Sequence, residues 1–157
     1  MTGAGETGAH HLPGSVPSSL LVHADGGARG NPGPAAYAAV IHDVRTGELL
    51  AQRAGAIGPA TNNVAEYRGL IAGLTACAQI APEAVIEVRL DSRLVVEQMS
   101  GRWRIRDRRL QELALQARAI VPPDHVQYTW IARAGNAAAD RLVNAALDGT
   151  LPAGVLP

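Results

Sequence analysis

The sequence predicts an α/β domain: a five-stranded mixed sheet flanked by helices, in the order βββαβααβα. Three observations predict it. Three short apolar runs joined by turn residues come first, helical spacing takes over at Thr61, and strands then alternate with helices. Residues 20–24 form an apolar run that ends at Asp25 and leads into the turn-rich stretch 26–34. Residues 36–42 and 48–55, joined at Thr46-Gly47, complete an antiparallel meander of strands one to three. From 61 to 80, Tyr67, Leu70, Ile71, Leu74, Cys77 and Ala78 recur at three and four, the stripe of an amphipathic helix that Pro82 stops. Residues 85–90 alternate as a fourth strand ending at Asp91. Helices are predicted over 92–100 and 105–121, with Gly101 between them as a stop. A fifth strand over 125–131 and a helix over 136–147 finish the order, and the helical crossovers after strand three imply parallel pairing there.

A chain of 157 residues that is 47% hydrophobic fits one globular domain and excludes two full ones. A domain of this size folds without a metal, so any metal serves chemistry. The 14 cations, all arginine, balance 14 acids, so charge has to be read locally. Cys77 is the single cysteine, which excludes an internal disulfide and a CxxC zinc site and fits the reducing cytoplasm; on the apolar stripe of the long helix it reads as core. The expected organisation is a flexible leader over 1–19, a catalytic domain over 20–148, and a flexible tail or linker over 149–157. The leader lacks the pattern of a secretory signal, and no apolar run reaches the ~20 residues of a membrane span. His10 and His11 are a weak metal pair, whereas His23, His42 and His125 read as structural or surface groups.

The glycine-rich stretch after Asp25 is not a dinucleotide loop. Gly27, Gly30 and Gly33 have the wrong spacing, prolines fall inside the turn, and a strand follows instead of a helix. A hairpin turn explains the glycines but not Asp25, because a carboxylate ending an apolar strand is costly unless something pairs with it. Asp91 repeats that position and has an equal claim as an N-cap. Glu66 can close a capping box with Asn63, and Asp140 suits the positive end of the last helix. Together, four acids at one sheet edge would repel one another or demand a cation. An all-oxygen ligand set selects Mg²⁺ or Mn²⁺, and two such ions roughly 3.5 to 4 Å apart are the usual clamp for phosphodiester cleavage.

The stretches His23-Ala-Asp25-Gly-Gly-Ala-Arg-Gly-Asn-Pro-Gly-Pro34, Thr61-Asn-Asn-Val-Ala-Glu66-Tyr, Leu90-Asp91-Ser92 and Asn136-Ala-Ala-Ala-Asp140-Arg-Leu resemble the motifs of type 1 ribonuclease H, in the same order. The resemblance covers residues 20–147 and is closest to short bacterial forms without the basic insertion. It implies the ribonuclease H-like fold and an endonuclease that cuts the RNA strand of RNA/DNA hybrids, leaving a 3′-hydroxyl and a 5′-phosphate. It implies a catalytic, metal-binding quartet of Asp25, Glu66, Asp91 and Asp140, with two Mg²⁺ or Mn²⁺ ions once substrate is bound. Asn62 and Asn63, with the backbone of the Gly26–Gly30 turn, resemble the minor-groove contacts that read the RNA 2′-hydroxyl; Asn31 and Thr61 resemble contacts to the DNA strand. Arg93 stands where some relatives contact RNA through Gln, and Arg133 stands near the place of a histidine that assists turnover in many. Trp103 and the run Arg102, Arg104, Arg106, Arg108 and Arg109 take the place of the missing insertion and supply phosphate contacts. The expected partner is the hybrid alone, with no membrane and a monomeric enzyme. A related metal-dependent nuclease and a non-catalytic hybrid-binding module of the same fold are the alternatives.

Overall fold

The computed structural model describes residues 15–157. Five strands, β1 (Ser19–Ala28), β2 (Gly33–Asp43), β3 (Leu49–Ala60), β4 (Val85–Leu90) and β5 (Val126–Trp130), form one sheet in the order β3-β2-β1-β4-β5. β1 to β3 are antiparallel neighbours, while β4 lies parallel to both β1 and β5. Among the described residues four α-helices pack on this sheet: α1 (Asn62–Ile80), α2 (Arg93–Met99), α3 (Arg108–Ile120) and α4 (Ala137–Asp148). The order is the one the sequence patterning predicts, and so is the antiparallel meander of the first three strands.

Strand periodicity decides which face each residue serves. Leu20, Val22 and Ala24 of β1, with Ile86, Val88 and Leu90 of β4, pack under Tyr67, Leu70, Leu74 and Cys77 of α1 and Leu113 and Ala117 of α3. Ala36, Ala38 and Val40 of β2 face the other way, onto Ala139, Leu142, Val143 and Ala146 of α4. Asp25 pairs in register with Ala38, which directs it to the α4 side.

Small residues let α1 sit directly on β1. A Cβ added at Gly26 would collide with the backbone of Ala65, and one at Gly69 with the carbonyl oxygen of Asp25. Gly73 leaves only 2.7 Å between an added Cβ and Val22 Cγ1. The turn between β1 and β2 closes through Arg29 N–H to the Pro34 carbonyl at 2.8 Å, with Gly30 at φ +88°, a conformation only glycine adopts without strain.

Several expected boundaries move. β1 runs on to Ala28 and β3 to Ala60, past the predicted ends at 24 and 55, because ladder pairing continues through the glycine-rich turn flanks. α3 begins at Arg108, where Asp107 caps it by accepting from Leu110 N–H at 3.1 Å. Arg102, Arg104 and Arg106 therefore lie in a loop. The end of the chain, expected as a free tail or linker, lies instead along the edge of β3: Leu156 exchanges backbone bonds with Gln52 and Ala54, at 3.2 and 2.9 Å, and Leu151 and Val155 pack against the α4 side of the core. An unpaired strand edge is a template for association, and this segment covers part of it. The expected leader lies outside the described residues up to position 14, as do His10 and His11. No helix among the described residues is long and apolar enough to cross a membrane.

Candidate active site

In the parallel pairing of β1 with β4 the last registered pair is Ala24 with Leu90. Asp25 and Asp91 are the next residues of each strand, so both carboxylates leave the sheet side by side. α1 begins at the same end and brings Glu66 in. Carboxylate oxygens of Asp25, Glu66 and Asp91 lie within 4.8 Å of one another. Asp140, in the first turn of α4, lines the same open cleft of about 300 Å³, together with Asn62, Arg29 and Arg133.

The local caps explain why two of these acids are available. Thr61, not Asn63, caps α1, its Oγ1 accepting from Val64 N–H at 3.3 Å. Asn63 is the second helical residue, so the Asn63–Glu66 capping box does not form. Ser92, not Asp91, caps α2, its Oγ accepting from Val95 N–H at 3.2 Å. The same Ser92 side chain hydrogen-bonds Glu66. Asn136, 1% exposed, pins the other side: its Nδ2 donates to the Ala24 carbonyl at 2.8 Å, and its side chain bonds Asp91.

Burial raises the carboxyls of Asp25, Glu66 and Asp91 above their ordinary range. Asp25 is pushed up to about 7, first by desolvation and then by the charges of Asp91 and Asp140. Glu66 is pushed up to about 8, again mainly by desolvation, with Asp25 and Asp91 adding repulsion against the Ser92 hydrogen bond. Asp91 is raised for the same first reason, and the Arg133 guanidinium opposes the shift in all three. Buried acids that repel one another are a site short of positive charge.

The sign of the resulting pH effect is definite. Below about pH 4 these groups are protonated in both folded and unfolded chains. Above it the unfolded chain ionises freely while the folded chain resists, so the metal-free fold loses stability as pH rises through about 7 to 8. Glu66→Gln removes one such group. Its Tm advantage over the wild type in chelator should be near zero at pH 4 and grow to a plateau above pH 8; an advantage flat across that range would contradict the shift.

The other predicted residues divide. Asn31 and Asn62 join the glycine turn to α1: Asn31 Oδ1 accepts from Asn62 N–H at 3.0 Å, and Asn62 Oδ1 accepts from Ala28 N–H at 2.8 Å. These two, with Thr61 and Asn63, collect at the α1 start beside the acids. Arg93 opens α2, its guanidinium 4.9 Å from the Trp130 ring centroid and 3.6 Å from Glu97. Arg133 is exposed in the 3-10 turn (Arg133–Asn136) before α4. Trp103 is 48% exposed in the loop between α2 and α3 with Arg104, whereas Arg102 is tied to Glu97. Ser92 and Asn136, which stand within the motif stretches but have no role of their own there, support the site, and Trp130 escapes the sequence reading. Only Ser92, directly after a strand-end acid and before a helix, carries a legible signal.

A family model described as reverse transcriptase-like matches residues 23–146. The N-terminal ribonuclease H domain of a Mycobacterium tuberculosis protein, solved as a fusion with maltose binding protein, is 48% identical and superposes with a TM-score of 0.78, over 87% of this chain and 96% of that one. The chain belongs to the type 1 ribonuclease H family. Its four acids thus stand in a ribonuclease H fold with the five-stranded mixed sheet that the family shares. A bifunctional protein of M. tuberculosis is 51% identical over 131 residues, 82% of this chain and 35% of that protein. The chain therefore spans about a third of the length of that curated relative. A ribonuclease HI of Halobacterium salinarum is 44% identical over 130 residues, 81% of this chain and 64% of that protein. The ribonuclease H1 named LC11, solved in complex with an RNA/DNA hybrid, is 37% identical with a TM-score of 0.76, over 85% of this chain and 99% of that one.

Proposed function

We propose that this chain is an endoribonuclease that hydrolyses the RNA strand of RNA/DNA hybrids, leaving 3′-hydroxyl and 5′-phosphate ends. The observation that carries the proposal is the cluster of Asp25, Glu66 and Asp91 oxygens within 4.8 Å, its acids raised by burial and repulsion, with Asp140 on the same cleft. The relatives named ribonuclease H, and the LC11 complex with a hybrid, support the substrate.

The donor set fits a hard divalent cation: every candidate ligand is a carboxylate oxygen, and no His or Cys joins the group. Asp25, Glu66, Asp91 and Asp140 would hold Mg²⁺ or Mn²⁺, two ions when hybrid is present. Bound cations supply charge neutralisation and Lewis-acid activation at the scissile phosphate. The chain's own residues do the rest. Asn62 and Asn63, beside the Gly26–Gly30 backbone, present hydrogen-bonding groups to the shallow minor groove, where the 2′-hydroxyl separates RNA from DNA. The NH2 group of Asn62 makes no hydrogen bond among the described residues and is free to serve that role. Asn31 and Thr61 take the DNA strand and Arg93 the RNA strand. Arg133 brings positive charge over the acids, where substrate phosphate and carboxylates meet. Trp103, Arg104 and the neighbouring arginines supply the salt-dependent phosphate term. The enzyme works as a monomer, in a cytoplasm that keeps Cys77 reduced.

Labelled RNA/DNA hybrid, duplex RNA and duplex DNA, each with Mg²⁺, Mn²⁺ or chelator, test the proposal. Cleavage of the hybrid's RNA strand alone, abolished by chelator, is the expected result. Tight hybrid binding with no cleavage in either metal would instead make the chain a binding module.

A further inference from the structure

Trp130 ends β5 at the same edge of the sheet as the acids, and none of the roles above uses it. Its register partner in β4 is Leu90, the residue before Asp91. Its indole Nε1–H donates to the backbone carbonyl of Asp91 at 3.3 Å. The Arg93 guanidinium lies over its ring, 4.9 Å from the centroid, and also pairs with Glu97 at 3.6 Å. A tryptophan 44% exposed has no need of a protein partner for its N–H, since water is available. Both polar and aromatic faces of this one are nevertheless engaged, and by residues on either side of Ser92.

We propose that Trp130 is a positioning residue that sets Asp91 for the divalent cation and holds Arg93 for the RNA backbone. The Asp91 peptide is where β4 turns into α2, with a ladder bond on one side and a helix cap on the other. A donor on its carbonyl fixes the peptide plane, and with it the direction in which the carboxylate leaves the adjoining Cα. Groups that orient a metal ligand contribute to affinity without touching the metal. Arg93 gains differently. A free arginine side chain samples many rotamers, and contact with both the Trp130 ring and Glu97 orders it before substrate arrives. The Arg93 half rests on the hybrid reading, whereas the Asp91 half rests only on the acid cluster.

Trp130→Phe keeps a ring and removes the N–H; Trp130→Leu removes both. Calorimetric titration with Mn²⁺, without nucleic acid, reads the first effect, and hybrid affinity in chelator reads the second. The Phe variant should bind Mn²⁺ about fivefold more weakly, the worth of one neutral hydrogen bond, with hybrid affinity unchanged. The Leu variant should lose about threefold in hybrid affinity as well, the scale of an exposed cation–π contact; Trp130→Met replaces it if it does not fold. Unchanged Mn²⁺ affinity in the Phe variant overturns the role at Asp91, and unchanged hybrid affinity in the Leu or Met variant overturns the role at Arg93. A fall in Tm with both affinities intact marks a purely structural tryptophan and overturns both. Should the wild type bind Mn²⁺ but no hybrid, the substrate reading fails while the Mn²⁺ comparison still decides the Asp91 role.

Discussion

Asp25→Asn and Asp91→Asn should each abolish hybrid cleavage, by about a thousandfold or more, while the protein stays folded with a Tm in chelator at or above that of the wild type at pH 8. Both halves of that expectation come from the same geometry. The two residues are the first beyond the Ala24–Leu90 pair, and each supplies one oxygen to the acid cluster. In the proposed metal-dependent reaction the loss of one ligand removes charge neutralisation at the transition state, and preorganised electrostatics is usually the largest catalytic contribution. Stability moves the opposite way. Asp25 is 7% exposed and its carboxyl is raised to about 7 by burial and by Asp91 and Asp140, so its ionised form opposes folding. Asparagine keeps the shape and discards the charge. Cleavage assays beside thermal unfolding at pH 5 and pH 8 decide the matter: near-normal turnover in Mg²⁺ for either variant would sink the site assignment, and a large Tm loss would show that the acids hold the fold together.

Gly26→Ala and Gly69→Ala should be the most damaging changes outside the acids, each destabilising by about 3 kcal/mol or more and lowering Tm by roughly 10 °C. At both positions the added methyl would meet backbone, of Ala65 in one case and of Asp25 in the other, and backbone cannot rotate away as a side chain can. α1 would have to lift from β1. Because α1 carries Glu66 and β1 carries Asp25, the same movement would widen the acid cluster, so Mn²⁺ affinity should fall together with Tm. Thermal unfolding and metal titration of the two variants test this. Wild-type stability in either would mean that the helix and strand approach less closely than the structure shows. A variant with lowered Tm and intact metal affinity would mean that the contact is structural only.

Much of this was legible in the amino-acid sequence because it depends on neighbours in the chain. A short apolar run in residues 20–24, a period of two in 85–90, and one of three to four in 61–80 select strand or helix, and that choice needs no knowledge of the partner. Four acids at element ends, in motifs like those of type 1 ribonuclease H, likewise picked out the cleft that the structure assembles. Other features are decided in three dimensions. Thr61 and Asn63, two positions apart, and Asp91 and Ser92, adjacent, are pairs with equal capping chemistry, and only the backbone path decides that Thr61 and Ser92 cap while Glu66 and Asp91 stay with the acids. Trp130 and Asp91 are 39 positions apart and meet because β4 and β5 pair in parallel. Asn136 reaches Ala24 across 112 positions, and the last residues find the edge of β3 although nothing in their composition marks them as anything but a tail. Local periodicity and caps act over one or two turns of chain, whereas these contacts depend on sheet register, which is set by the packing of the whole core.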